Sequence, residues 1–236
     1  AIVEGWDNDS WLAANRFRRL LFRGHCYERS SLGSRASIAA MKLEDAERFY
    51  ASYFDRERLL VGLAGDVDQQ TAEHVVERYL GSMAAGGERA AATAPEPVMT
   101  SGRRLCLVDK PDRSQTQIYI GRLGTHPADV DHHALMLGNL VFGGTFTSRL
   151  MREVRSERGW SYGAYSYLHG DKHMGTFVLR FYPASENAIP ALEVADDLFR
   201  DFCAKGPTAE ELETARRFVV NSHPMSLETA EKRLHE

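Results

Sequence analysis

Cysteine is scarce in this chain. Cys26, Cys106 and Cys203 are the only three in 236 residues, and none forms a C-x-x-C pair. So odd and scattered a set provides neither a disulfide framework nor a thiolate zinc site, and buried free thiols are the expectation. Long apolar runs are missing as well; nothing approaches the ~18 consecutive residues of a membrane-spanning helix. Excess positive charge is absent, and a net charge of -4 removes the electrostatic reason to expect a nucleic-acid partner. The chain opens without the basic-then-apolar pattern of a secretion signal. Both ends read as helix, as though cut from something longer, so the compartment stays open. No repeat occurs at a solenoid period. What remains is an ordinary globular composition, long enough for one large domain or two small ones.

Apolar periodicity divides the chain. Trp11, Ala14, Phe17, Leu20 and Leu21 recur at helical spacing over 10–23, with Gly24 as a stop. Helical pieces are expected over 37–53. The run LLVGLA, Leu59 to Ala64, suits a short buried strand, and Asp68 is placed to cap a helix carrying Val75, Val76, Tyr79 and Leu80. Residues 86–102, rich in Ala, Gly and Pro, have no periodic face; they read as a linker between a domain over 1–85 and another over 103–236. Alternating segments at 103–109 and 116–124 predict two strands joined by the turn KPDRSQ. A helix over 132–142 is broken by Gly143-Gly144, and a short helix follows over 148–158. Strands are expected at 161–168 and 175–182, then an amphipathic helix over 186–205 stopped by Gly206-Pro207. Thr208 and Glu211 form a capping box for the last helix. Antiparallel strand pairs with helices gathered on one face define an α+β fold.

One stretch concentrates chemistry. Ser148 to Tyr167 reads SRLMREVRSERGWSYGAYSY, a charged helix that stops at Arg158-Gly159 and becomes an aromatic strand. Arg155 and Tyr162 stand on either side of that break. A guanidinium holds a carboxylate or a carbonyl oxygen, and a phenol donates a hydrogen bond. The break lets both aim at one point. Taken alone, the same residues also fit a solvated helix face, with Glu153 and Glu157 pairing with the arginines, and a packed strand tyrosine.

The wording LGNLVFGGTFTSRLMREVRSERGWSYGAYSY, in this element order, resembles the pitrilysin-type zinc metallopeptidases, the inverzincins. That family includes the mitochondrial processing peptidase and the non-catalytic core proteins of the cytochrome bc complex. HCYERSSLGSRASIAAMKLEDAERFYASYF and LLVGLAGDVD resemble the later half of one family domain, and RLCLVDKPDRSQTQIYIGRLG onward the first two-thirds of the next. The resemblance implies a LuxS/pitrilysin-like metallopeptidase fold in which two halves close around a peptide. One half holds zinc through H-x-x-E-H and a downstream Glu; the other supplies an Arg and a Tyr to the substrate. By position those are Arg155 and Tyr162 here, with Gly143, Gly144, Ser148 and Arg149 as substrate-binding neighbours. It further implies a peptide substrate and a zinc-bearing partner domain or subunit. An extracytoplasmic, periplasmic location is a family expectation only.

The chain departs from that pattern in one respect: it contains no H-x-x-E-H. His25 and Glu28 have the offset but no second His, His132 and His133 are adjacent, and His169 and His173 flank Gly170-Asp171 in a turn. Catalytic zinc takes three protein ligands and an open position. No zinc is therefore expected in this chain, and no autonomous peptidase activity. Two origins stay open: the motif precedes Ala1, or the parent is the zinc-free partner of a heterodimer. The expected function is a zinc-free substrate-binding half; the alternative is a structural module like the bc-complex core proteins. Leu59–Ala64 needs a sheet, so 37–81 is expected to dock on the 103–182 sheet as one compact domain, within the chain or by swapping in a homodimer.

Overall fold

A computed structural model describes residues 5–86, 95, 101–172 and 174–235. The chain forms two compact units: Ala1–Leu32 with Ala94–Arg217, and Gly33–Thr93 with Phe218–Glu236. Most of the expected linker 86–102 lies outside the described residues.

The first unit is built on a three-stranded antiparallel sheet. Its strands are β1 (Ile118–Leu123), β2 (Ser161–His169) and β3 (Thr176–Pro183), in the order β1-β3-β2. In register, Tyr119 and Tyr165 both face Arg180, while Ile120 and Ser166 face Leu179. Period-two alternation therefore separates an apolar face from a tyrosine and arginine face. Against the apolar face pack two broken helices and α7 (Ala188–Lys205). The first broken helix is α5 (His132–Asn139), which widens into a π turn over Leu140–Gly144. The second is α6 (Arg149–Met151), which widens into another over Arg152–Glu157. Phe142, Leu150 and Val154 from these segments meet Ala164, Leu179 and Phe181 of the sheet and Ala191 and Ala195 of α7. All are buried, and each large apolar side chain removed from water contributes roughly 1.5–3 kcal/mol. An additional helix, α1 (Asp9–Leu21), lies on the polar face: Phe17 approaches Tyr119 at 5.9 Å, and Arg180 Nη2 donates to Ser10 Oγ at 2.8 Å. Asn8 caps α1 by accepting the Trp11 N–H, and Gly24 follows at φ 84°. Gly206 at φ 71° closes α7. The expected capping box then opens α8 (Ala209–Ser226): Glu211 accepts the Thr208 N–H at 2.8 Å, and Thr208 Oγ1 accepts the Glu211 N–H at 3.2 Å.

The second unit contains α2 (Arg35–Ala40), α3 (Leu43–Tyr53), α4 (Gln69–Leu80) and α9 (Ala230–His235). Asp68 caps α4 as its position suggests, accepting the Thr71 N–H at 2.7 Å. Among the described residues, every buried apolar side chain lies in the first unit.

Four expectations are corrected here. Leu59–Ala64 belongs to no strand, and Leu60 is 95% exposed. An apolar sequence makes a strand only when a neighbour supplies ladder partners. The same holds for 103–109, where Leu105 and Leu107 stand open; β1 pairs with β3, and the expected antiparallel pairing with 103–109 is not formed. The single compact domain built on Leu59–Ala64 is thus replaced by two units. The cysteines are free but not buried. Cys106 lies in the unpaired 103–109 stretch, Cys203 is exposed beside Phe202 on α7, and Cys26 is half-buried.

Candidate functional site

The second broken helix ends where the sequence suggests. Gly159 takes φ 64°, a conformation open to glycine, and its N–H bonds to Arg155 O at 3.0 Å. The Trp160 N–H reaches back to Val154 O at 3.1 Å, a longer span than an α turn closes. The π widening places Val154 in the core while Arg155 stays half-buried at its edge.

A second irregularity sits across the break. Ser161 pairs with Pro183 and Ala164 with Phe181, so Tyr162 and Gly163 together oppose Tyr182 alone. This is a β-bulge. Ser161 mends the ladder with its hydroxyl, which donates to Gly163 O at 2.7 Å and accepts the Tyr182 N–H at 3.1 Å. Ser161 and Gly163 are buried, yet Tyr162 between them is 76% exposed. One bulge in a helix and one in a strand thus bring Arg155 and Tyr162 together. The Arg155 guanidinium carbon lies 5.1 Å from the centre of the Tyr162 ring.

A third side chain completes the group. Phe146, between the Gly pair and Ser148, puts its ring 4.3 Å from the same guanidinium carbon. Arg155 is held by two aromatic rings, and among the described residues no carboxylate pairs with it. The neighbouring acid Glu153 pairs with Arg158, whose guanidinium also lies 5.3 Å from the Trp160 ring. The solvated-face pairing considered for Arg155 is therefore not formed. Sequence reasoning missed Phe146; its one signal was an aromatic residue in a polar Thr-Phe-Thr loop.

The other candidates are placed differently. Arg149 makes two charge-assisted bonds to Glu211, Nε to Oε1 at 2.7 Å and Nη2 to Oε2 at 2.6 Å, and also donates to Gly206 O. Its guanidinium lies 5.1 Å from the Phe202 ring. The Arg149 bonds hold the Glu211 carboxyl down at about 2, and the same pairing raises Arg149. Arg149 thus braces the helices and has few donors left for a ligand. Gly143 lets its helix touch β2: a Cβ there would sit 2.5 Å from Ser166 Oγ. Asn139 locks the same contact, accepting from Ser166 Oγ at 2.6 Å. Gly144 is exposed beside Asn139. Ser148 is buried, and its Oγ finds no partner among the described residues. An open pocket of about 420 Å³ lined by Arg18, Tyr27, Arg29 and Asp171 among others includes neither Arg155 nor Tyr162.

No trio of His, Cys, Asp and Glu among the described residues is arranged to hold a metal. His25 Nδ1 accepts the Tyr27 N–H and Glu28 accepts the Gly24 N–H, so that pair is turned into its own loop. His132 Nδ1 lies 3.2 Å from Thr125 Oγ1, and His169 stacks on Tyr167. His173 is outside the described residues. The donors among the described residues do not fit a catalytic zinc.

The sequence profile described as the peptidase M16 inactive domain matches residues 40–219, and the chain belongs to that family. A Helicobacter pylori protein named as a non-peptidase homolog, YmxG, is 26% identical, covering 100% of this chain and 54% of that protein. An uncharacterized zinc protease of Mycobacterium bovis is 29% identical, covering 94% of this chain and 50% of the relative. The crystal structure of a peptidase M16 inactive domain from Pseudomonas fluorescens matches with a TM-score of 0.83 at 28% identity, over 94% of this chain and 53% of that one. A chain of complex III2 from Candida albicans shares the fold, with a TM-score of 0.81 at 13% identity, over 99% of this chain and 57% of that one. The chain spans about half the length of the curated relatives it matches. No helix among the described residues is long and apolar enough to cross a membrane.

Proposed function

We propose that this chain is the substrate-binding half of an M16-type metalloendopeptidase. Arg155 and Tyr162 would receive a carbonyl or developing oxyanion of an extended peptide while a zinc-bearing domain or subunit acts from the other side. The observation that carries the reading is the Arg155–Tyr162 pair itself: Tyr162 exposed, Arg155 half-buried beside it and, among the described residues, without a carboxylate partner. Donors aimed at a developing oxyanion act most strongly when they are fixed in advance, and two backbone irregularities fix these. Zinc, held elsewhere, would supply the activated water and polarise the carbonyl. In the complex with the zinc-bearing half, Arg155→Ala and Tyr162→Phe are each expected to slow peptide cleavage. Unchanged cleavage in both variants removes this reading. It leaves the second one, a structural or interaction module, which is favoured by the likeness to a relative named as a non-peptidase homolog.

A further inference from the structure

We infer that Phe146 is the positioning residue of this site: its ring orients the Arg155 guanidinium while leaving the N–H donors free for the peptide. The inference rests on the substrate-binding reading of Arg155 and names a residue that reading does not require. An arginine on a half-open surface needs something to hold it, because its side chain carries about 2 kcal/mol of rotamer freedom. Two kinds of holder are available, and this segment uses both. Arg149 is held by a carboxylate, which occupies Nε and Nη2. Arg155 is held by ring faces, at 4.3 Å from Phe146 and 5.1 Å from Tyr162. A cation over a ring is attracted by the ring face and needs no acceptor atom, so this holder places no carboxylate on the N–H groups. For a group meant to receive an oxygen, the second holder is the useful one.

The loop around Phe146 is itself tied down. Thr145 Oγ1 donates to Leu140 O at 3.3 Å, and the Ser148 N–H bonds to Thr145 O at 3.2 Å. Phe146 remains 62% exposed, outside the buried core. Of the two rings, that of Phe146 lies nearer the Arg155 guanidinium carbon, at 4.3 Å against 5.1 Å for Tyr162. Tyr162 cannot do the whole task if its phenol is also to donate to substrate, since its own orientation is then set by two demands.

The test uses the full chain with its zinc-bearing half and two variants. Phe146→Leu keeps apolar bulk and removes the ring; Phe146→Tyr keeps the ring. Phe146→Leu is expected to lower kcat/KM roughly 5- to 20-fold, with Phe146→Tyr within about twofold of the parent. In an Arg155→Ala background, Phe146→Leu is expected to add nothing, because it acts through Arg155. A readout independent of activity is the Arg155 Nε–Hε signal in a nitrogen-15 NMR spectrum. Ring currents displace it in the parent and in Phe146→Tyr, and it moves toward the free-arginine position in Phe146→Leu, where only the Tyr162 ring remains. Parent-like kinetics with an unmoved Arg155 signal in Phe146→Leu overturn the inference. A further loss in the Arg155→Ala background also overturns it and makes Phe146 a direct peptide contact. If Arg155→Ala itself cleaves normally, the substrate-binding reading fails; a moved signal in Phe146→Leu then leaves only the orienting contact, without a role in cleavage.

Discussion

Arg149 and Arg155 stand on one helical segment six residues apart, and the fold treats the same side chain in opposite ways. At the buried end, Arg149 is clamped by Glu211 and Gly206 O and lies against Phe202, with a side chain only 14% exposed. At the open end, Arg155 has two aromatic rings and, among the described residues, no acid. Between them the helix widens from α to π, which rotates the later residues relative to the earlier ones. A guanidinium whose donors are satisfied braces structure. One held by ring faces, with no acid on its donors, is the kind the proposed substrate-binding role needs. Charge and residue type do not separate the two roles; partners do.

The sharpest way to break this comparison is to delete the open arginine. If the proposed substrate-binding role holds, Arg155→Ala is expected to leave folding intact and to lower kcat/KM of the complex with a zinc-bearing half by about 10²–10³-fold, the usual loss for one oxyanion donor. Steady-state cleavage together with a thermal melt checks both halves of the claim. A large drop in Tm with normal cleavage by the folded fraction would make Arg155 a second brace. The reciprocal variant, Arg149→Met, keeps stem packing and removes the clamp. It is expected to destabilise by about 2 kcal/mol, because a partly buried charge-assisted pair is lost and Glu211 is left without its cation. That corresponds to a Tm lower by roughly 4–8 °C. Cleavage by the folded protein should change less than about threefold, since no donor is lost at the open site.

Tyr162 sharpens the comparison on the substrate side. Tyr162→Phe keeps the ring under Arg155 and removes only the hydroxyl, so about a 10-fold loss in kcat with little change in KM is expected. An equal loss in Tyr162→Phe and Tyr162→Leu would support donation by the phenol. A much greater loss in Tyr162→Leu would assign most of its value to holding Arg155.

How far these two ends were readable before the fold was known differs for physical reasons. The break at Gly159 and the capping box of Thr208 and Glu211 were legible, because both follow from local backbone chemistry. So were β2 and β3, whose alternation and short polar turn act at close range. Arg155 and Tyr162 were singled out by spacing and family resemblance, but their contact was not derivable from spacing alone. It depends on a π turn and a β-bulge, each an insertion that periodicity averages away. Glu211 was recognised as a cap and not as the acid for Arg149, a partner far away in the chain. Leu59–Ala64 was misjudged for the converse reason: its apolar letters carry strand propensity, whereas strand formation requires a neighbour.

The smallest effect tests the brace through protons. Glu211 ordinarily titrates at 4.5 and is held at about 2 in the fold, chiefly by hydrogen bonds from Arg149. Its folded value is depressed, so as pH falls below 4.5 the unfolded chain takes the proton first and unfolding gains. The stabilisation is fully present above pH 4.5 and is lost progressively as pH falls toward 2. With solvent screening of a partly exposed pair allowed for, the amount is on the order of 1–2 kcal/mol. Urea midpoints at pH 6 and pH 3 measure it: the parent should lose more stability across that interval than Arg149→Met, whose Glu211 has already lost the cation. Arg155→Ala should retain the parent's acid sensitivity, because no carboxylate among the described residues relies on Arg155. An acid response flattened equally by both substitutions would mean that the two ends of the segment share one electrostatic network, and the separation between brace and open site would fail.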